Sequence, residues 1–139
     1  MRAFLASAAC VLGMLTAACG SDTTTSPSST TTTATSPVVD TFSSLLAIRG
    51  STARTFAMSS AGTIRVTLSA LGNGSSTVGV VVGVPATGTP CSPSVSVVTG
   101  PGTSPQIVTA ADAGSYCVQV YDAGRLTEDT AFTLTIEHP

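Results

Sequence analysis

The chain has 139 residues and no lysine, with five arginines set against seven acids for a net charge of −2. Tryptophan is absent and aromatic residues make up only 4%, so the bulk of the sequence is Val, Thr, Ser, Gly and Ala. That balance argues against nucleic acid and anionic membrane surfaces as partners, since both require a basic patch, and its β-branched, turn-rich character points to an all-β fold.

The first element is a leader. Arg2 supplies a positive start, residues 3–15 form an apolar run free of Asp, Glu, Lys and Arg, and the small pair Ala17-Ala18 precedes Cys19. This is the layout of a cleaved export signal. Leu15-Thr16-Ala17-Ala18-Cys19 resembles the lipobox of bacterial lipoproteins, with Thr16 where that family most often has Leu. The resemblance implies cleavage after residue 18 and lipidation of Cys19, which would tie the protein to a membrane through a lipid anchor. Export with soluble release is the alternative, and a retained anchor is disfavoured because the apolar run falls short of the ~20 residues a spanning helix needs. Gly20 after Cys19 lacks the Asp of the inner-membrane retention signal, which favours an outer membrane where one exists. The expected location is the cell envelope, with the domain facing the periplasm or the exterior.

Residues 19–37 follow as a tether. Its sequence from Ser21 to Pro37, SDTTTSPSSTTTTATSP, holds no apolar side chain larger than Ala and has no means of offsetting the entropy of folding. A flexible segment of this length reaches on the order of 20–25 Å. It also has the composition of an O-glycosylation substrate.

Residues 38–139 form the folded part, about 100 residues and one small domain. Short alternating runs broken by Gly, Pro, Asn and Ser predict about eight strands in an antiparallel, jelly-roll-like β-sandwich. In residues 52–58, Phe56 and Met58 share a face, and Ser59-Ser60-Ala61-Gly62 predicts a hairpin into the next strand. There Ile64, Val66 and Leu68 face the core while Thr63, Arg65 and Thr67 face water. Residues 78–84 are nearly continuous Val and Gly, which predicts a central strand buried on both faces, with Gly79 and Gly83 allowing close approach. Tyr116, Val118 and Val120, then Phe132, Leu134 and Ile136, mark two more half-buried strands.

Cys10 falls in the leader and Cys19 at its cleavage site, which leaves Cys91 and Cys117 as an even pair in an oxidising compartment. That arithmetic predicts a disulfide. A redox or metal role has little behind it: there is no CxxC, and the single histidine, His138, sits beside the last residue.

The sequence offers little for catalysis. Nucleophilic hydrolysis needs an imidazole held by neighbours, and His138 is a poor candidate at the end of the chain. Asp112, Asp122, Glu128, Asp129 and Glu137 show no spacing that singles out a pair, and their simplest reading is solvated turns and strand edges. A sharper reading lets Asp122, Glu128 and Asp129, which flank one loop, offer oxygen ligands to calcium. No EF-hand spacing supports it, and no metal or cofactor is expected. Tyr121 is the one aromatic whose alternation points away from the core, so Tyr121, Asp122, Glu128 and Asp129 form the candidate ligand-binding group. Asp122-Ala123-Gly124 reads more simply as a turn. Arg49, Arg54 and Arg125 offer a small anionic contact, though scattered arginines are usually solubility groups.

Three stretches carry a resemblance: Arg54-Thr55-Phe56-Ala57-Met58 with Ala61-Gly62-Thr63-Ile64-Arg65-Val66-Thr67-Leu68, then Ala113-Gly114-Ser115-Tyr116-Cys117-Val118-Gln119-Val120-Tyr121, then Phe132-Thr133-Leu134-Thr135-Ile136. Together they resemble the bacterial pre-peptidase C-terminal domain, a jelly-roll β-sandwich appended to secreted enzymes. The resemblance implies an accessory, non-catalytic role; some members bind polysaccharide or fibrous protein, and some collagen-binding relatives use calcium at an N-terminal acidic segment. Here that segment is Thr and Ser with only Asp40 nearby, so calcium and collagen do not carry over. The expected function is a non-catalytic, lipid-anchored envelope protein for binding or accessory interaction. The partner is an envelope glycan or peptide, or an envelope complex or protease of which this chain is a subunit or modulator.

Overall fold

A computed structural model describes residues 36–139 apart from 73 and 75. The leader, the tether and Cys19 lie outside the described residues. Alternation from Val38 onward produces eight strands: β1 (Val38–Leu46), β2 (Ser51–Met58), β3 (Gly62–Leu71), β4 (Val78–Ala86), β5 (Thr89–Thr99), β6 (Ile107–Ala111), β7 (Gly114–Tyr121) and β8 (Thr130–His138). They form two four-stranded antiparallel sheets, ordered β1-β8-β3-β6 and β2-β7-β4-β5. This is the strand order of a jelly roll, in which two sheets share one core.

The core is the sum of the inward halves of the strands. Ile64, Val66 and Leu68 of β3, Phe132, Leu134 and Ile136 of β8, Val118 and Val120 of β7, and Phe56 and Met58 of β2 are all buried, as the alternation requires. Phe42 of β1 meets Phe132 edge to face, with ring centroids 5.2 Å apart, a favoured aromatic geometry. In β3 the register shifts between Leu68 and Ala70. The extra residue moves the inward phase from even to odd positions, so Leu71 joins the core opposite Phe132.

The hairpin predicted at Ser59-Ser60-Ala61-Gly62 does not form. β2 pairs with β7 in one sheet while β3 pairs with β6 and β8 in the other, so the link crosses from sheet to sheet. Both strands carry an apolar inward face, and facing each other across the core buries both faces where pairing side by side would not require it. Among the described residues the only chain-consecutive strands that pair are β4 and β5, joined through Thr87-Gly88 with Gly88 at φ 83°.

β4 lies between β7 and β5 and is buried on both faces through Gly83; Val84 is already exposed. Val78, Val80 and Val82 enter the core, while Val81 faces outward into a separate small cluster with Cys91, Cys117 and Tyr121. The disulfide between Cys91 and Cys117 closes a sequence separation of 26 residues, a loop for which chain entropy gives about 3.5 kcal/mol of stabilisation. Its path is unusual, because Cys91 and Cys117 sit on strands separated by β4. Strands two apart lie about 9.5 Å from one another, yet these Cα atoms are 5.7 Å apart. β5 closes the gap by buckling over β4, with register breaks at Val82/Gly83 and Val84/Ala86. It crosses where β4 has no side chain: the Ser92 carbonyl occupies the place a Cβ on Gly83 would take.

Thermal melts check this arrangement. Ile64→Asp places a charge in the centre of the core and should abolish cooperative unfolding. Gly83→Ala should lower stability by about 3 kcal/mol or more, because the obstruction is backbone and cannot rotate aside. An unchanged melt for Gly83→Ala would refute the crossing of β5 over β4.

Candidate functional site

The outer face of the β2-β7-β4-β5 sheet carries a shallow groove of about 440 Å³. Its floor is Val81 and Gln119, one wall is Pro93 and Ser96 of β5, and the other is Tyr121 and Asp122 with the Arg49-Gly50-Ser51 segment that enters β2. Tyr121 is half buried because its ring lies flat over Gly79, in the space a Cβ there would fill. The glycine therefore sets the ring's height above the sheet, and the alternation of β7 sets its direction.

Arg49 stands at the rim in a conformation that only a few non-glycine residues adopt, with φ 56°. Its neighbours hold it there. The Arg49 backbone N–H donates to Asp122 Oδ2 at 2.8 Å, and the adjacent Ile48 N–H donates to Asp129 Oδ1 at 3.0 Å. The turn is closed by Gly50 N–H on the Ala47 carbonyl, and Asp122 N–H returns a bond to the Gly50 carbonyl. Among the described residues the Arg49 guanidinium has no hydrogen-bond or ion-pair partner within the fold.

Asp122 is the joint of this region. Its Oδ1 accepts from the backbone N–H groups of Gly124, Arg125 and Leu126 at 2.8, 2.8 and 3.1 Å, while Oδ2 takes Arg49. These donors hold its carboxyl below the ordinary value of 3.8, the Arg49 N–H most of all, against a smaller opposing effect of desolvation. Gly124 at φ 78° completes the turn, and buried Leu126 pins the following loop to the core. Asp122-Ala123-Gly124 is thus a turn whose first residue also fixes the loop 73 residues earlier.

The four candidate ligand residues separate into two groups. Tyr121 and Asp122 line the groove; Glu128 and Asp129 do not. Of the carboxylates read as calcium ligands, Asp122 accepts from four backbone N–H groups and Asp129 from the Ile48 N–H. Among the described residues, no three His, Cys, Asp or Glu side chains gather to hold a metal. His138 is not at a loose end, as its position in the chain suggests, but 4% exposed. It stacks 5.0 Å from Phe56 with Nε2 3.3 Å from Asp40 Oδ2 and Nδ1 3.0 Å from the Pro139 carbonyl. Its inward phase was readable, because it continues the series Phe132, Leu134, Ile136.

Sequence reasoning named Arg49 only among three scattered arginines offering an anionic contact, and did not single out Gln119 or Ser96. Nothing local marks Arg49; only Gly50 after it hints at a tight turn. A second depression of about 540 Å³, between Ala61-Gly62-Thr63 and Ala110-Ala111-Asp112, has neither an aromatic ring nor a cation. Comparison of the chain with protein-family models and with curated proteins gives no match.

The role of Asp122 has a pH signature. A carboxylate whose pKa is depressed by folding contributes stability that is present above its unfolded value, near 3.8, and lost as pH falls through the lower folded value. Asp122→Asn replaces one acceptor with a donor facing the Arg49 N–H. It should remove that part of the acid limb in a denaturation series and accelerate exchange of the Arg49 amide; an unchanged amide would show that the turn is held by other contacts.

Proposed function

We propose that this chain is a non-catalytic, lipid-anchored protein of the bacterial cell envelope whose β-sandwich binds an envelope glycan or peptide in the groove of its β2-β7-β4-β5 sheet. One observation carries the binding reading: a tyrosine ring held over a glycine lines the same groove as an arginine whose backbone is pinned by Asp122 and whose guanidinium has no partner among the described residues. A ring with an open face takes an apolar or sugar surface, and a guanidinium takes a carboxylate or phosphate. Gln119, Ser96 and Ser51 add hydrogen-bonding groups between them. Few polar groups converging on a concave surface are the usual composition of a ligand site.

The anchor reading rests on Leu15-Thr16-Ala17-Ala18-Cys19 and on the apolar run before it. The pre-peptidase C-terminal resemblance is compatible with the jelly-roll strand order and supports an accessory role. A non-enzymatic reading is supported by the use of the acids and the histidine within the fold: Asp122 and Asp129 hold backbone amides, and His138 packs between Phe56, Asp40 and Pro139.

Two measurements test the proposal separately. Membrane fractionation with a labelled fatty acid should show the wild-type chain in the membrane and labelled, and Cys19→Ser unlabelled; a labelled Cys19→Ser protein would overturn the anchor. In-cell cross-linking and affinity recovery of the anchored protein should bring down envelope glycan or peptide, with recovery falling about tenfold in Tyr121→Ala. Equal recovery by Tyr121→Ala would place binding outside the groove.

A further inference from the structure

The groove of the β2-β7-β4-β5 sheet has its floor on two interior strands, and its side chains stand in register. β7 lies between β2 and β4, and β4 between β7 and β5. One row across the sheet reads Gln119, Val81, Ser96, and the next reads Ser51, Tyr121, Gly79, Val98. These rows are two residues apart, about 7 Å along the strands. Because the Tyr121 ring lies over Gly79, an aromatic platform sits one row away from the Gln119 amide and the Ser96 hydroxyl. Among the described residues, the side chains of Arg49, Ser51, Ser96 and Gln119 make no hydrogen bond within the fold. Asp122 accepts three backbone N–H groups on Oδ1 but only one on Oδ2, so Oδ2 keeps acceptor capacity.

This arrangement argues against the common ways of holding a peptide. Strand addition needs a free edge, and the floor strands β4 and β7 are each paired on both sides. An amphipathic helix needs an apolar trough, and a proline-rich segment needs a groove lined with aromatic rings; here the apolar lining is Val81, Pro93 and a single ring. Charge narrows the ligand further. Arg49 and Asp122 line the same groove without forming an ion pair, and their charges are opposite. A ligand of either sign therefore gains on one and loses against the other. A pair of neutral hydroxyls satisfies both, one accepting from the guanidinium and one donating to Asp122 Oδ2.

We propose, resting on the groove reading above, that the ligand is an uncharged saccharide: one sugar ring lays its C–H face on Tyr121, its hydroxyls bridge Arg49 and Asp122 Oδ2, and its far side reaches Gln119 and Ser96. A sugar offers an apolar face together with donors and acceptors around its rim, and the groove offers a ring bordered by a guanidinium, a carboxylate, an amide and hydroxyls. The row spacing of about 7 Å is on the scale of one sugar ring with its hydroxyls. Val98, 53% exposed beyond Gly79 in the same row, extends the apolar platform for a neighbouring sugar. The groove's two ligand classes, glycan and peptide, are thereby reduced to one, and the glycan to a neutral one.

Retention of the full chain on an immobilised array tests the proposal. The array carries neutral tri- and tetrasaccharides, the same saccharides ending in a uronic acid, and peptides blocked at both ends. Neutral saccharides should retain the wild-type chain, and equally at about 0.02 M and about 0.5 M salt, because no net charge is neutralised. Tyr121→Ala, with a normal melt, should weaken that retention about tenfold by removing the platform. Arg49→Gly suits the positive φ and keeps the backbone N–H on Asp122, so it should weaken retention through loss of the guanidinium alone. Failure of every neutral saccharide to retain the chain overturns the proposal. Preference for the uronic acid ends, falling with salt, or for the peptides also overturns it; if Tyr121→Ala abolishes that preference, the groove reading survives. Retention by neutral saccharides that neither variant weakens overturns the groove reading and the proposal with it.

Discussion

Two missing side chains on β4 set the outer face of its sheet. At Gly83 the absent Cβ lets β5 cross close enough for Cys91 to reach Cys117, and at Gly79 it lets the Tyr121 ring lie down on the strand. Val81, between the two glycines, is covered as a result, and the groove is what remains between the buckled β5 on one side and the Tyr121 ring on the other. The small outer cluster of Val81, Cys91, Cys117 and Tyr121 thus gives the sheet a second layer of packing that a lone four-stranded face would lack. In a domain of about 100 residues, whose main core is modest, that layer and the covalent link across it stiffen the surface that carries the candidate site.

The rim of the groove is organised by carboxylates that look, in sequence, like ligands. Asp122 and Asp129 lie after β7, yet their acceptors are spent on the loop between β1 and β2, where they hold Arg49 at positive φ. The backbone N–H groups that Asp122 accepts from hold it ionised and in place, so the groove is lined by one fixed carboxylate and one guanidinium.

Alternation made β3, β7 and β8 legible, because inward and outward residues differ sharply there, and cysteine arithmetic was enough for the disulfide. What it could not supply was the identity of each strand's neighbour. Period-two patterning states that a strand has one wet face, which is equally true of a hairpin partner and of a strand across the core; the Ser59-Ser60-Ala61-Gly62 link was therefore readable as a turn but not as a crossing. The site divides in the same way. Tyr121 was visible from the phase of β7, and the paired glycines of β4 from their place among valines. The place of Arg49 in the groove was not, because its conformation is imposed by the side chains of Asp122 and Asp129, far along the chain. The burial of His138 follows from its phase in β8, which its place near the end of the sequence obscured.

The strand order also dictates when this domain can come into being. β8 lies between β1 and β3, so the sheet to which it belongs has no continuous interior until the final strand of the chain is in place. Among the described residues only β4 and β5 are neighbours both in sequence and in a sheet; the other pairs close over long stretches of chain, an arrangement that makes assembly slow. A polypeptide emerging from its amino end first would have to be kept from aggregating for nearly its whole length, and any product truncated before residue 130 would lack the central strand of one sheet. Completion of that sheet is therefore deferred to the last-made strand, and a copy that stops short of β8 leaves β1 with no neighbour in its sheet.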